Sequence, residues 1–237
     1  MRGGDSVKMK NYISKKILRY YSRLLEEHGY DPQSVGWGNL EGKQSLRFDV
    51  LCQIGSLSNS TILDVGCGFG DLYGYLRYKK IGAKYLGVDI NDGLLKIGHK
   101  IYPKIKLELR DIEKRKFTRK FDWVIASGIT SHGSTYPHLK HVLSEMFRIC
   151  KKGVAMNFVS DLVDYKTKGL FYSSPEKIYS ITRTLSNRVV LRHDYMPYEF
   201  TIYLYKDNKK MPNNIFKGYL TGSNNLSDRS WHPKYRN

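Results

Sequence analysis

The sequence Ile62-Leu63-Asp64-Val65-Gly66-Cys67-Gly68-Phe69-Gly70-Asp71-Leu72 carries more structural information than any other stretch of the chain. Thr61 to Val65 is a short apolar run of the length and composition of a buried strand. Glycines at 66, 68 and 70 then allow a tight turn and let a ligand approach bare backbone, and a helix is expected from about residue 71. The dinucleotide fingerprint Gly-x-Gly-x-x-Gly is not met. Counted from Gly66 its third glycine falls on Asp71, and counted from Gly68 it falls on Tyr73. A phosphate-binding P-loop is excluded, because no Gly-Lys-Ser/Thr follows. An acidic residue at the helix start would repel a pyrophosphate, so the loop suits a ligand without phosphates, preferably a cation.

Outward from this loop the pattern alternates. Strands are expected at Tyr85–Asp89, Ile105–Leu109, Phe121–Ala126 and Val154–Val159, with helices over about 71–79, 92–101 and 138–150 between them. Lys151-Lys152-Gly153 reads as the turn before the fifth strand. Pro175 opens a further helix to about Thr184. Val189–Arg192 and Phe200–Tyr205, joined through Pro197, form a closing antiparallel pair. Such alternation implies an α/β fold with a mostly parallel sheet covered by helices on both faces. Upstream, Ile13, Ile17, Tyr21 and Leu24 mark one face of a helix over 8–28, and a second helix covers Gln44 to Ile54. The expected organisation is an N-terminal helical cap (1–58), a core (59–206) and a basic, loosely ordered tail (207–237).

Two carboxylates extend the loop's chemistry. Asp89 ends the second strand, where it can accept hydrogen bonds from ribose hydroxyls. Asp111 follows the third strand, where it can accept from an exocyclic amine. A lone Asp at a strand end ordinarily caps a helix or a turn. Three of them, Asp64, Asp89 and Asp111, each beside a strand of one sheet, argue for a site.

With these residues in place the chain resembles the class I S-adenosylmethionine-dependent methyltransferases. Asp64-x-Gly66-x-Gly68-x-Gly70 matches that family's glycine loop, Asp89 its ribose-holding acid, and Asp111-Ile112 its adenine-holding pair. The resemblance implies a Rossmann-like seven-stranded sheet with a reversed final strand. It implies S-adenosylmethionine as cofactor and S-adenosylhomocysteine as product. Cofactor contacts are then expected from Asp64, Gly66, Cys67, Gly68, Asp71, Asp89, Ile90, Asp111, Ile112, Ser127 and Gly128. Trp37, Gly38 and Arg47, just before the first strand, are expected to close over the cofactor, Arg47 pairing with its carboxylate. Methyl transfer from a sulfonium is an in-line displacement with an already activated leaving group, so alignment and at most one base are required. His132 and Asp161 are candidates for that base. Tyr136, Tyr165, Tyr172, His193 and Tyr195 are acceptor-side candidates. No cluster with metal-ligand spacing is evident, and no metal is expected.

The acceptor is less defined. Ala126-Ser127-Gly128-Ile129 lacks the Asn/Asp-Pro-Pro-aromatic motif of base amino-methyltransferases, which disfavours that chemistry. The formal charge is +18, from 40 Lys and Arg against 22 Asp and Glu in 237 residues. That makes RNA or another polyanion the alternative acceptor to a small metabolite, with a non-catalytic binding module as a third reading. The excess is spread along the chain, with one concentration at Lys114-Arg115-Lys116 and Arg119-Lys120. There is no Arg/aromatic alternation, zinc-finger spacing or RNA-binding signature, so nucleic acid is not favoured. An anionic small molecule remains compatible with the charge. No apolar run reaches the length of a membrane span. Three widely spaced cysteines form no disulfide framework, and the cytoplasm is the expected compartment.

Overall fold

A computed structural model describes residues 3–36, 42–129 and 132–206, with side chains from Ile13 onward. Helix α1 spans Gly3–His28, and a short 3-10 turn follows at Pro32–Val35 before α2, Lys43–Cys52. The alternating part then runs β1 (Thr61–Val65), α3 (Asp71–Tyr78), β2 (Lys84–Asp89), α4 (Asp92–Ile101) and β3 (Leu107–Leu109). It continues through β4 (Phe121–Ala126), α5 (Tyr136–Ile149), β5 (Cys150–Val159), α6 (Pro175–Arg183), β6 (Arg188–Met196) and β7 (Glu199–Tyr205).

The seven strands form one sheet in the order β3-β2-β1-β4-β5-β7-β6. β3, β2, β1, β4 and β5 are mutually parallel neighbours. β7 runs antiparallel to both β5 and β6. The mostly parallel sheet with a reversed last strand is the architecture the sequence implied. β1 and β4 are adjacent, yet their connections leave in opposite directions along the sheet. The crevice beyond their carboxyl ends is therefore the topological switch point, where open α/β sheets bind ligands.

Two apolar layers hold the sheet. On one face Leu139, Leu143 and Met146 of α5 and Ile178 of α6 pack on Leu63, Val124, Val154 and Ile202. On the other, Phe48 and Leu51 of α2 and Leu72 and Leu76 of α3 cover Ile62, Ile125, Ala155 and Tyr203. Each such aliphatic side chain contributes roughly 1.5–3 kcal/mol when fully buried. The helix starts follow the sequence chemistry. Asn91, Thr135 and Ser174 cap α4, α5 and α6 with side-chain oxygens, and Pro lies in the first turn of the last two.

Two boundaries differ from the sequence expectation. Lys151-Lys152-Gly153 is not a turn: α5 passes directly into β5, which begins at Cys150. A register shift between Phe121 and Trp123 on β4 absorbs the extra residues. β3 is only three residues long, because the buried Ile105 packs beneath α3 outside the ladder.

Candidate functional site

The glycine loop leaves β1 with its backbone held by the neighbouring strand. The Gly66 and Cys67 N–H groups both donate to the Val88 carbonyl, at 2.8 and 3.1 Å. Gly66 has φ +68°, and a Cβ there would meet Ile129 Cγ2 at 2.1 Å. Gly70 has φ +84°, and a Cβ there would meet Ile105 Cδ1 at 2.4 Å. The glycines at 66 and 70 are thus required twice over, by conformation and by space. The loop borders a cavity above the carboxyl ends of β1, β2 and β4.

Five carboxylates line that cavity, four aspartates and Glu113. Asp64 is 3% exposed and accepts from Tyr85 Oη at 2.6 Å. Burial pushes its carboxyl up to about 7, against the lowering effect of the Tyr85 hydroxyl. Asp89 accepts from the Gly68 N–H (2.9 Å) through one oxygen and from the Asn91 N–H (2.8 Å) through the other. Burial also raises its pKa, opposed by these backbone donors. Asp71, in the first turn of α3, accepts from Tyr30 Oη at 3.1 Å, Tyr102 Oη at 3.2 Å and Gln44 Nε2 at 3.2 Å. Asp111 accepts from the Glu113 N–H at 2.9 Å, Ser14 Oγ at 3.1 Å and Lys114 Nζ at 3.2 Å. Val65, Val88, Ile90, Leu94 and Ile112 supply apolar walls. Largely enclosed acids beside apolar walls form an acceptor set matched to a ligand with a positive charge, polar hydroxyls and a planar apolar part.

Every predicted cofactor residue from Asp64 to Gly128 lines this cavity, namely Asp64, Gly66, Cys67, Gly68 and Asp71, then Asp89, Ile90, Asp111, Ile112, Ser127 and Gly128. Trp37 and Gly38 lie outside the described residues. The sequence reading expected the N-terminal helices of 1–58 to cap the cofactor site but did not name the residues of α1 and α2 that line the cavity: Ser14, Ile17, Leu18 and Tyr21 of α1, and Gln44 and Phe48 of α2. The amphipathic period of α1 marks a buried face without saying which of its residues meet the cavity. Also missed were Glu113 and His138, whose side chains meet at 2.9 Å at the cavity wall.

Arg47 requires a correction. It does not reach the cavity, although its α2 neighbours Gln44 and Phe48 do. Its guanidinium is buried and bonded through Nε and a terminal nitrogen to both carboxylate oxygens of Glu199 on β7. Burial pushes it down to about 10. One turn of helix separates a residue facing the ligand from one facing the sheet, and Glu199, 152 residues away, decides which Arg47 does.

His193 and Tyr195 also do not line the cavity. They sit on β6, the edge strand two places beyond β5, which at about 4.8 Å per strand removes them roughly 10 Å from β5. His193 Nε2 contacts the Pro197 carbonyl at 3.1 Å, and Tyr195 Oη pairs with Thr201 Oγ1 at 2.8 Å. His132 stands one layer behind the cavity. Its ring stacks on Tyr20 at 3.7 Å and meets the edge of cavity-lining Tyr21 at 6.2 Å. Burial lowers its pKa, with Lys16 adding to the effect, so the ring stays neutral near pH 7. Asp161 follows β5 and its N–H donates to the Ser173 carbonyl at 3.0 Å. Tyr136 Oη accepts from the Ser174 N–H at 2.9 Å, and Tyr172 Oη from the Thr167 N–H at 2.8 Å. Tyr165 is 67% exposed and packs edge-on against Tyr198. None of these last four lines the cavity.

A glycine loop and paired acids at the switch point of a 3-2-1-4-5-7-6 sheet define a doubly wound α/β fold with a ligand cavity at the carboxyl ends of its strands. Residues 62–153 match the family described as "Methyltransferase domain". The Mycobacterium tuberculosis protein Rv1506c, whose name proposes a methyltransferase, is 26% identical over 159 residues, covering 62% of this chain and 93% of its own length. The ubiquinone biosynthesis O-methyltransferase of Nitrosomonas europaea is 30% identical over 146 residues, covering 57% of this chain but only 58% of that protein, less than two thirds of its length. Among solved structures, magnesium protoporphyrin IX methyltransferase (ChlM) from Synechocystis PCC 6803 with bound SAH matches with a TM-score of 0.59 at 13% identity, over 85% of this chain and 99% of that one. At that identity the likeness is one of fold. The family match thus spans residues 62–153, and over most of its length the chain is similar in fold to a solved methyltransferase.

Proposed function

We propose that the protein moves a methyl group from S-adenosylmethionine, by in-line displacement, to an oxygen or nitrogen of a small metabolite such as a sugar, a polysaccharide or a natural-product precursor. The observation that carries the reading is the set of four aspartates, Asp64, Asp71, Asp89 and Asp111, around one glycine-floored cavity. Asp89 would take the ribose, Asp111 and the Ile112 amide the adenine, and Asp64 and Asp71 the cationic methionine end. Ser127 and Gly128 would lie against the same end. The cofactor supplies an activated methyl group, and the chain's residues bind, orient and exclude water. His132 is the candidate base, with its pKa lowered by burial and its ring edge-on to cavity-lining Tyr21; Asp161 is the second candidate. In this reading residues 1–58 cap the cofactor, 59–206 form the catalytic core and 207–237 an accessory tail.

A small acceptor is favoured over RNA by how the basic residues are used. Lys114 pairs with Asp111, Lys116 with Glu145 and Arg119 with Glu108. The densest basic run is thus partly neutralised by its own surroundings. Among the described residues no helix is long and apolar enough to cross a membrane. The test is a methyl-transfer screen over metabolite and RNA pools, with calorimetry for the cofactor. Micromolar S-adenosylmethionine binding and a labelled small product support the proposal. A wild-type protein that binds no S-adenosylmethionine refutes it.

A further inference from the structure

β5 is apolar from Val154 to Val159 except at Asn157, which is 2% exposed. A buried amide is costly unless its oxygen and nitrogen are both bonded. Here both bonds go to one place. Asn157 Oδ1 accepts from the Gly128 N–H at 2.8 Å, and Nδ2 donates to Ser127 Oγ at 3.2 Å. The ladder explains why an amide is needed. β4 pairs with β5 as far as Ala126 opposite Met156, and with β1 as far as Ala126 opposite Val65. Beyond that point Gly66 and Ser127 have left their strands, while β5 runs on to Val159 paired with β7 alone, so on its β4 side Asn157 has no further ladder partner. The side chain of Asn157 continues the hydrogen bonding that the backbone has given up.

Gly128 then turns the chain with φ +74°. This delivers Ile129 onto the glycine loop, where its Cγ2 fills the space a Cβ on Gly66 would need. Ser127, Gly128 and Ile129 all line the cavity, whereas Asn157 does not. The amide therefore acts at one remove.

We propose that Asn157 is a positioning residue, which fixes the Ser127–Gly128 turn against the glycine loop and so sets the geometry of the methionine end of the cofactor site. The inference rests on the reading of the cavity as that site. A purely structural role is the competing explanation, and Thr201 supplies its control. Thr201 lies opposite Asn157 on β7, is equally buried at 1%, and bonds Tyr195 rather than the Ser127–Gly128 turn.

The experiment measures binding of two probes by calorimetry: S-adenosylmethionine, and 5′-methylthioadenosine, which lacks the amino-acid arm. Asn157→Leu, close in size but unable to bond, is expected to weaken S-adenosylmethionine about tenfold, as for one buried hydrogen-bond partner lost. Affinity for 5′-methylthioadenosine should stay near wild type. Asn157→Asp keeps an acceptor for Gly128 and lets the Ser127 hydroxyl turn to donate; it should recover much of the loss, and it stands in if the Leu variant fails to fold. Thr201→Val should leave the ratio of the two affinities unchanged. Equal weakening of both probes by Asn157→Leu, no weakening at all, or the same ratio change in Thr201→Val would overturn the positioning role. A wild type that binds neither probe would instead sink the cofactor site, and this inference with it.

Discussion

The two halves of the sheet solve the same problem by different means. At β1 to β3 the site is built from backbone: glycine N–H groups bond to Val88 and Asp89, and Asp64, Asp89 and Asp111 each sit within two residues of a strand end, with Asp71 at the start of the next helix. At β5 to β7 the corresponding edge is built from side-chain bonds, two of them between residues far apart in sequence, Arg47 on Glu199 and Asn157 on Gly128, and one across a hairpin, Tyr195 on Thr201. The first arrangement is a local motif, tolerant of what surrounds it. The second exists only once the sheet has assembled, so its members serve architecture as much as chemistry. That difference predicts how the two halves separate under mutation.

The largest effect should fall on stability in the second half. Arg47→Ala leaves Glu199, itself largely buried, without its cation. Breaking a buried pair in this way costs about 3–5 kcal/mol, read as a fall in the denaturant midpoint. Cofactor affinity of the protein that remains folded should stay within about threefold, well under the 1.4 kcal/mol of a tenfold change. A tenfold loss of affinity instead would restore Arg47 to the site and erase the contrast. Asp89→Ala should do the reverse. It removes the acceptor for the Gly68 and Asn91 N–H groups as well as the proposed ribose contact, and about 2–3 kcal/mol of binding with them. Calorimetry should show a 30- to 100-fold weaker Kd with a smaller change in folding stability.

Asp64 gives a subtler readout of the first half. Its carboxyl stands at about 7 when folded, against about 4 in an unfolded chain. Between those values the native state holds a proton that the unfolded chain has released, so this group's contribution to stability is lost as pH rises. From pH 6 to 8 the loss is about 1–2 kcal/mol, and Asp64→Asn should abolish that part of the slope. A bound cation favours the ionised carboxylate. Binding of S-adenosylmethionine near pH 6.5 should therefore release protons, seen as a calorimetric enthalpy that varies with the buffer. An enthalpy independent of buffer would remove Asp64 from contact with the cation.

How much was legible in the sequence follows the same division. The alternating strands and helices and the cavity-lining aspartates could be read because each depends on neighbours in the chain: a strand, its glycine, its terminal Asp; the seven-stranded sheet with its reversed final strand followed from the family resemblance. The direction of Arg47 could not, because one turn of α2 carries Gln44 and Phe48 to the cavity and Arg47 to β7. Nor could the individual lining residues of the expected cap. The apolar face of α1 was plain at Ile13, Ile17 and Tyr21, but periodicity says that a face is buried, not which of its side chains meet the cavity. Asn157 was visible as a polar residue in an apolar strand, yet its bonds to Ser127 and Gly128 lie 30 and 29 residues away. Lys151-Lys152-Gly153 misled for a related reason. Turn composition was correct for an exposed segment, but a β-bulge let the strand run through it.

The smallest expected effect concerns the charge. A net +18 invites a polyanion, and the run from Lys114 to Lys120 is its densest point. Lys116 and Arg119 are 68% and 60% exposed at the side chain and reach their acids at 4.0 and 3.8 Å. Exposed pairs at such distances contribute about 0–1 kcal/mol and are screened by salt. Arg119 also lies over the Phe121 ring at 5.0 Å, a contact that needs no ligand. Lys116→Ala and Arg119→Ala should therefore shift stability by no more than about 0.5 kcal/mol. In filter binding to RNA over a salt series, the double variant should keep the wild-type slope, because an enzyme of a small acceptor makes no specific phosphate contact through these side chains and so displaces no counterions from the RNA with them. A slope reduced by one or two charges would mean that these side chains leave their acids for the polyanion. The basic surface would then belong with the substrate rather than with the fold.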